Sequence, residues 1–210
     1  MKSENQNKIG AGQMSSFEKI EKVPPLKMLL YVSMAGMGML FLMLTVMFLY
    51  KSGVETTTSD FNLPKLFSVS TVLILVSGFF MQQVPTFYAQ DDLVSMKKRL
   101  VWSLLLGVAF AFAQIVAWYE MAEARVFFDG HPSGTFLYLL SALHLLHIAG
   151  GLAFASYLFL KVNRASSDPI RSLVFNRDPY RLMQVQMLRT YWHFLDALWI
   201  VLYFIFLFTL

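Results

Sequence analysis

The sequence predicts an all-α protein: a polytopic membrane helical bundle of five transmembrane helices, with its amino terminus inside and its carboxyl terminus outside. Three observations predict it. Of 210 residues, 57% are hydrophobic, above the ~45–50% usual for a soluble domain. Charged residues are only 14% and fall in clusters rather than along the whole chain. Lys and Arg alternate between crowded and sparse from one connecting segment to the next, which is the charge signature of alternating membrane sides. The chain then divides into a polar cytoplasmic tail, residues 1–24, and one five-helix transmembrane domain, residues 25–210.

A spanning helix needs about 20 apolar residues at ~1.5 Å rise each, and five segments qualify. The first runs from about Pro25 to Tyr50, entered through Pro24-Pro25 and rich in Met and Gly. The second covers about Leu66 to Tyr88, with a late break expected at Pro85. The third runs from about Leu100 to Tyr119 and the fourth from about Thr135 to Leu160. The fifth crosses from near Tyr191 to Leu210, and Asp178-Pro179 reads as an N-cap with proline at the first helical position, so this helix can begin outside the bilayer. Upstream, Ser15-Ser16-Phe17-Glu18 has capping-box spacing, and Phe17 with Ile20 gives a brief surface helix one apolar face. The opening MKSENQNKIGAGQMSS lacks the apolar core of a signal peptide, so insertion is expected to rely on the first span. No internal repeat is visible.

Orientation follows from the basic residues. The tail holds Lys2, Lys8, Lys19, Lys22 and Lys27; the loop after the second span holds Lys97, Lys98 and Arg99. The segment before the fifth holds Lys161, Arg164, Arg171, Arg177, Arg181 and Arg189, whereas the alternate connections carry only Lys51, Lys65 and Arg125. The net charge of +4 is therefore a topology signal, not a nucleic-acid surface. With no cysteine, disulfides, iron–sulfur clusters and thiolate metal sites are excluded.

Ionisable groups at membrane depth are costly and call for a reason. Asp196 follows His193 by three residues on one helix face, flanked by Trp192 and Trp199. The pair is either an interhelical packing contact or a proton-relay or subunit contact. His144 and His147 form an H-x-x-H pair in the fourth span, read as polar packing or as ligands of a metal or haem. They lie roughly 13 to 18 Å from the outer end, whereas His193 sits only a few residues inside the opposite face, a poor match for two axial ligands of one haem. Ser141, Ala142, Ala149, Gly150, Gly151 and Ala153, with Gly107, Ala109, Ala111 and Ala113, offer surfaces for close helix approach. No phosphate loop, nucleophile elbow or metalloprotease motif is present. A small transporter would need a polar midplane path and inverted repeats, and only His144, His147 and Gln114 offer such a path.

The run Tyr191-Trp192-His193-Phe194-Leu195-Asp196-Ala197-Leu198-Trp199 resembles the YWHFxDxxW of subunit III of the haem–copper oxidases, the cytochrome c and quinol oxidase family. His144-Leu145-Leu146-His147 with Gly150, Gln114 with Tyr119-Glu120, and Ser77-Gly78 are similar to its shorter motifs. The likeness extends from about Leu26 to Leu210 and fits a short five-helix bacterial form. It implies a cofactor-free accessory subunit of a terminal oxidase, aa3-type cytochrome c oxidase first, in the bacterial inner membrane. Haem and copper would reside in subunits I and II, with a small subunit IV and a larger supercomplex as possible further company. Bound phospholipid and support of proton uptake and turnover are also implied. A quinol oxidase subunit III and the homologue associated with nitric oxide reductase are the related alternatives. Two departures stand out: Ser33-Met34-Ala35-Gly36-Met37 occupies the place of a family glutamate, and Ala117 stands where another is usual.

Overall fold

The computed structural model describes residues 24–54, 64–123 and 132–209. The short amino-terminal surface helix expected around Phe17 lies outside these residues, as does His131. Among the described residues six helices follow one another: α1 (Pro25–Val54), α2 (Lys65–Ala89), α3 (Leu93–Glu123), α4 (Pro132–Ala165), α5 (Pro169–Arg177) and α6 (Pro179–Thr209). Five are long and apolar enough to cross a membrane. Each is longer than its apolar run, because helix continues past the hydrocarbon boundary wherever good helix formers flank it. The all-α, five-span architecture predicted above is what the chain adopts.

α6 is the hub. It packs against α1, α2 and α4, while α3 lies against α2 and α4, and α1 also leans on α4. Two apolar clusters fill the interior. One, in the half towards the carboxyl end of α6, gathers Phe41, Phe67, Ile74, Phe110, Trp199 and Phe206. The other, towards the start of α6, gathers Met81, Leu100, Leu158, Val185, Leu188 and Trp192. The outer surface is equally greasy: Met43 is 75% exposed and Phe112 68%. A surface of this kind is stable only in hydrocarbon or under another protein. α1 is the most peripheral span, sinking only Phe41 and Phe48 fully into the bundle.

The helix ends collect most of the cations at one face. Lys27 at the start of α1 donates to Gln186 near the start of α6 at 3.0 Å. Arg99 of α3 lies over Phe80 and Phe87 of α2, 5.5 Å from each ring. Lys161, Arg164, Arg171 and Arg181 line a shared depression at the α4–α5–α6 corner. We refer to this end as the basic face. The α2–α3 turn there is tight. Asp91 takes a left-handed φ of 58°, a conformation short acidic side chains tolerate. Asp92 then caps α3 by accepting from the Ser95 amide at 3.0 Å. Hydrogen bonds from Ser95 hold the Asp92 carboxyl below the usual carboxylate range.

Two helix features depart from the sequence expectation. α2 does not break at Pro85 but runs through it to Ala89. Proline removes a single backbone bond, and Met81, Val84 and Tyr88 on either side are all locked into the core. α5 is an additional short helix on the basic face. Its start repeats the device at α6: Asp168 accepts from the Ile170 amide and Asp178 from the Tyr180 amide, both at 2.9 Å, each followed by proline.

Candidate functional site

The buried polar residues form a stratified network rather than a pocket. In the half away from the basic face, Gln114 of α3 donates to the Ser70 hydroxyl of α2 at 2.7 Å. Thr71 accepts from the Trp199 indole of α6 at 3.0 Å. Both hydroxyls in turn donate to the Phe67 carbonyl. Three helices are thereby tied by groups that hydrocarbon cannot solvate. His144 is fully buried beside them, stacked on Trp199 at 4.9 Å and met edge-on by Phe41 and Phe110. Neither of its ring nitrogens has a partner among the described residues. His147 is half-buried; its Nδ1 lies 2.7 Å from the Leu143 carbonyl, an arrangement that requires the proton on Nδ1. Tyr191 donates to the His147 carbonyl at 3.1 Å and so joins α6 to α4.

Nearer the basic face, Ser77 of α2 donates to the Ser103 carbonyl of α3 at 2.9 Å. One residue on, Gly78 makes room for the α6 acid. A Cβ there would collide with the Asp196 carboxylate and approach His193 Nδ1 to 3.6 Å. His193 Nδ1 and Asp196 Oδ2 are 3.4 Å apart; the Asp side chain is buried, the His side chain 36% exposed. The acid thus lies in the α2–α6 seam and the imidazole at its outer edge.

The remaining predicted residues sort cleanly. Trp192 is buried against the glycines of two neighbouring helices, Gly107 and Gly151. The close approach on α4 is made by Ser141 and Gly151; Ala142, Ala149, Gly150 and Ala153 are exposed, and a Cβ at Gly150 would meet only the Tyr191 hydroxyl, at 3.8 Å. Gly150 thus lies on an exposed side of α4. Glu120 is also exposed and joins no cluster. His144 and His193 face different seams, and among the described residues no group of three or more His, Asp or Glu is placed to hold a metal. Sequence reasoning passed over Ser70 and took Ser77 only as part of the Ser77-Gly78 motif. Their seven-residue spacing, two helical turns, puts both on one buried stripe and was available as a signal.

Fold and interior together define a multi-pass membrane protein in which several buried polar side chains bind helix to helix. No family model matches the chain. It is similar, at 26% identity over 65% of its length, to a probable cytochrome c oxidase subunit 3 from Mycobacterium leprae. Cytochrome c oxidase subunit 3 from Corynebacterium diphtheriae is 24% identical over 68% of the chain. The African elephant protein of that name is 27% identical over 64%. The match spans 63% of the Mycobacterium leprae protein and 47% of the elephant one. These relatives bear out the resemblance read from the sequence: the chain is related to the subunit III family of the haem–copper oxidases.

Proposed function

We propose that this chain is the accessory, cofactor-free subunit III of a proton-translocating terminal oxidase, an aa3-type cytochrome c oxidase, in a bacterial inner membrane. The observation that carries the reading is the similarity to proteins named cytochrome c oxidase subunit 3. In support, Gln114, Trp199 and Ser77 spend their buried donors on helix–helix bonds. Haem and copper would sit in partner subunits I and II, and this chain would pack on subunit I. The basic face is the cytoplasmic one in this reading, in keeping with its Lys and Arg content.

Phospholipid has a suitable place. Lys161, Arg164, Arg171 and Arg181 border a depression of about 310 Å³ at the basic face, with Phe175 and Val174 beside them. Cations at headgroup level over apolar side chains suit a phosphate and the start of its acyl chains. A proton wire through the chain is disfavoured by the first span, which offers Ser33 to Met37 without an acid. Support of proton uptake would come from packing and lipid around subunit I.

Purification of the tagged chain from its own membranes tests this. Haem absorbance should co-elute with it in mild detergent, while the separated chain carries neither iron nor copper. A preparation without any haem-bearing companion, or stoichiometric metal on the chain itself, overturns the assignment.

A further inference from the structure

We infer that α5 is a membrane-surface helix, its apolar side lying in the leaflet at the basic face, where Lys161 and Arg164 select an anionic phospholipid. The inference rests on the reading above that the basic depression takes a phospholipid, and it names the lipid class and the element that meets it.

Ile170, Leu173 and Val174 stand three and four residues apart and so share one side of α5. All three are between 63% and 75% exposed. Phe175 fixes the orientation from the other side: it is buried in the bundle, edge-on to Tyr88 with ring centroids 5.9 Å apart. A nine-residue helix is about 13 Å long and cannot cross a bilayer.

The tether to α4 sets the level of α5. Tyr157 and Leu160 on α4 are exposed, and Lys161 and Arg164 follow them towards the basic face. A leaflet presents acyl carbons and then phosphate in that same order. Lys161 lies over the Tyr157 ring at 5.5 Å, so apolar and charged groups meet at this point. Ile170 and Val174 border the same depression as Lys161 and Arg164. The apolar side of α5 therefore stands where hydrocarbon gives way to headgroups, the depth at which amphipathic helices lie on a membrane.

Charge names the lipid. From Lys161 to Arg181 the chain carries five cations against two acids. Those acids, Asp168 and Asp178, face Arg171 and Arg181 at 3.5 and 3.6 Å. Lys161 and Arg164 have no carboxylate partner among the described residues. A zwitterionic headgroup brings its own cation, whereas an anionic one leaves its charge for these two. A protein covering α5 would have to place acids beside Lys161 and Arg164 and apolar groups over Ile170 and Val174. An anionic leaflet offers both at once.

Benzoylphenylalanine incorporated in place of Leu173 tests both parts. The protein is purified with its companions, reconstituted into vesicles of equal phosphatidylcholine and phosphatidylglycerol, and photolysed; mass spectrometry reads the adducts. Phospholipid adducts should predominate, with phosphatidylglycerol exceeding phosphatidylcholine roughly threefold to tenfold. Lys161→Gln together with Arg164→Gln should bring that ratio close to parity while lipid adducts persist. Adducts chiefly on another chain, or on a second copy of this one, overturn the proposal. So does parity of the two lipids before the cations are removed, or a ratio that the double variant leaves unmoved. If the double variant fails to accumulate, the ratio in the parent protein decides alone. Absence of lipid adducts sinks the phospholipid reading itself, whereas parity sinks only the lipid class. Failure of the subunit reading shows separately, as a missing haem-bearing companion with the lipid adducts unchanged.

Discussion

A methyl group at position 78 would occupy the volume that the Asp196 carboxylate fills. The glycine is thus set by packing and not by backbone freedom. Overpacking of a tight seam costs about 1–3 kcal/mol, so Gly78→Ala is expected to lower the thermal midpoint of the detergent-solubilised protein. The cost should shrink when Asp196 is shortened as well. In a double-mutant cycle, Gly78→Ala combined with Asp196→Ala should destabilise by less than the two singles together. Strict additivity would mean that the glycine serves something other than the acid. The same seam shows where sequence reading stops. The Asp196–His193 spacing revealed a shared helix face, but which neighbour received it depended on Gly78, which the sequence offered as part of the Ser77-Gly78 motif and not as a neighbour of Asp196. His144 was legible as a costly buried residue, whereas its aromatic enclosure by Phe41, Phe110 and Trp199 joins three other helices and left no local trace.

Between helices, Tyr88 does the work of a clasp. Its hydroxyl, near the end of α2, donates to the Phe175 carbonyl at 2.9 Å and lies 3.1 Å from the Asp178 carbonyl. Those carbonyls end α5 and lead into α6, and each already accepts a backbone amide, Phe175 from Asp178 and Asp178 from Arg181, so the tyrosine adds a side-chain donor from α2 to the joint. Tyr88→Phe keeps the ring in the core and removes only the donor. It is expected to cost about 0.5–1.5 kcal/mol and to raise amide exchange through residues 169–178 while α3 stays protected; equal exchange in both proteins would remove Tyr88 from this role. The spans themselves were readable because 18 or more apolar residues in succession have few alternatives to a membrane helix. α5 was not, since nine residues of mixed polarity give no such run. Its Asp168-Pro169 start nevertheless repeats the Asp178-Pro179 signal that was recognised ahead of α6. Pro85 misled for the opposite reason: a rule for isolated helices was applied where neighbouring helices hold both sides of the proline in register.

At the scale of the whole molecule, charge separates the two ends of the bundle. Lys97, Lys98, Arg99, Lys161, Arg164, Arg171, Arg177, Arg181 and Arg189 lie on or next to the basic face, against Lys51 and Lys65 among the described residues at the other. Retention of such loops on the cytoplasmic side sets the direction in which the whole bundle is threaded. Single cysteines in this cysteine-free chain report that direction without background. Ser167 is exposed in the α4–α5 connection at the basic face, and Glu123 is exposed at the far end of α3. In right-side-out vesicles, a membrane-impermeant maleimide should label Glu123→Cys at once and Ser167→Cys only after detergent is added. The order should invert in inside-out vesicles, which separates true sidedness from local shielding of either position. Labelling of Ser167→Cys from outside in intact right-side-out vesicles would reverse the topology. It would also move the cationic depression formed by Lys161, Arg164, Arg171 and Arg181 to the opposite leaflet, away from the anionic cytoplasmic surface that its charge suits.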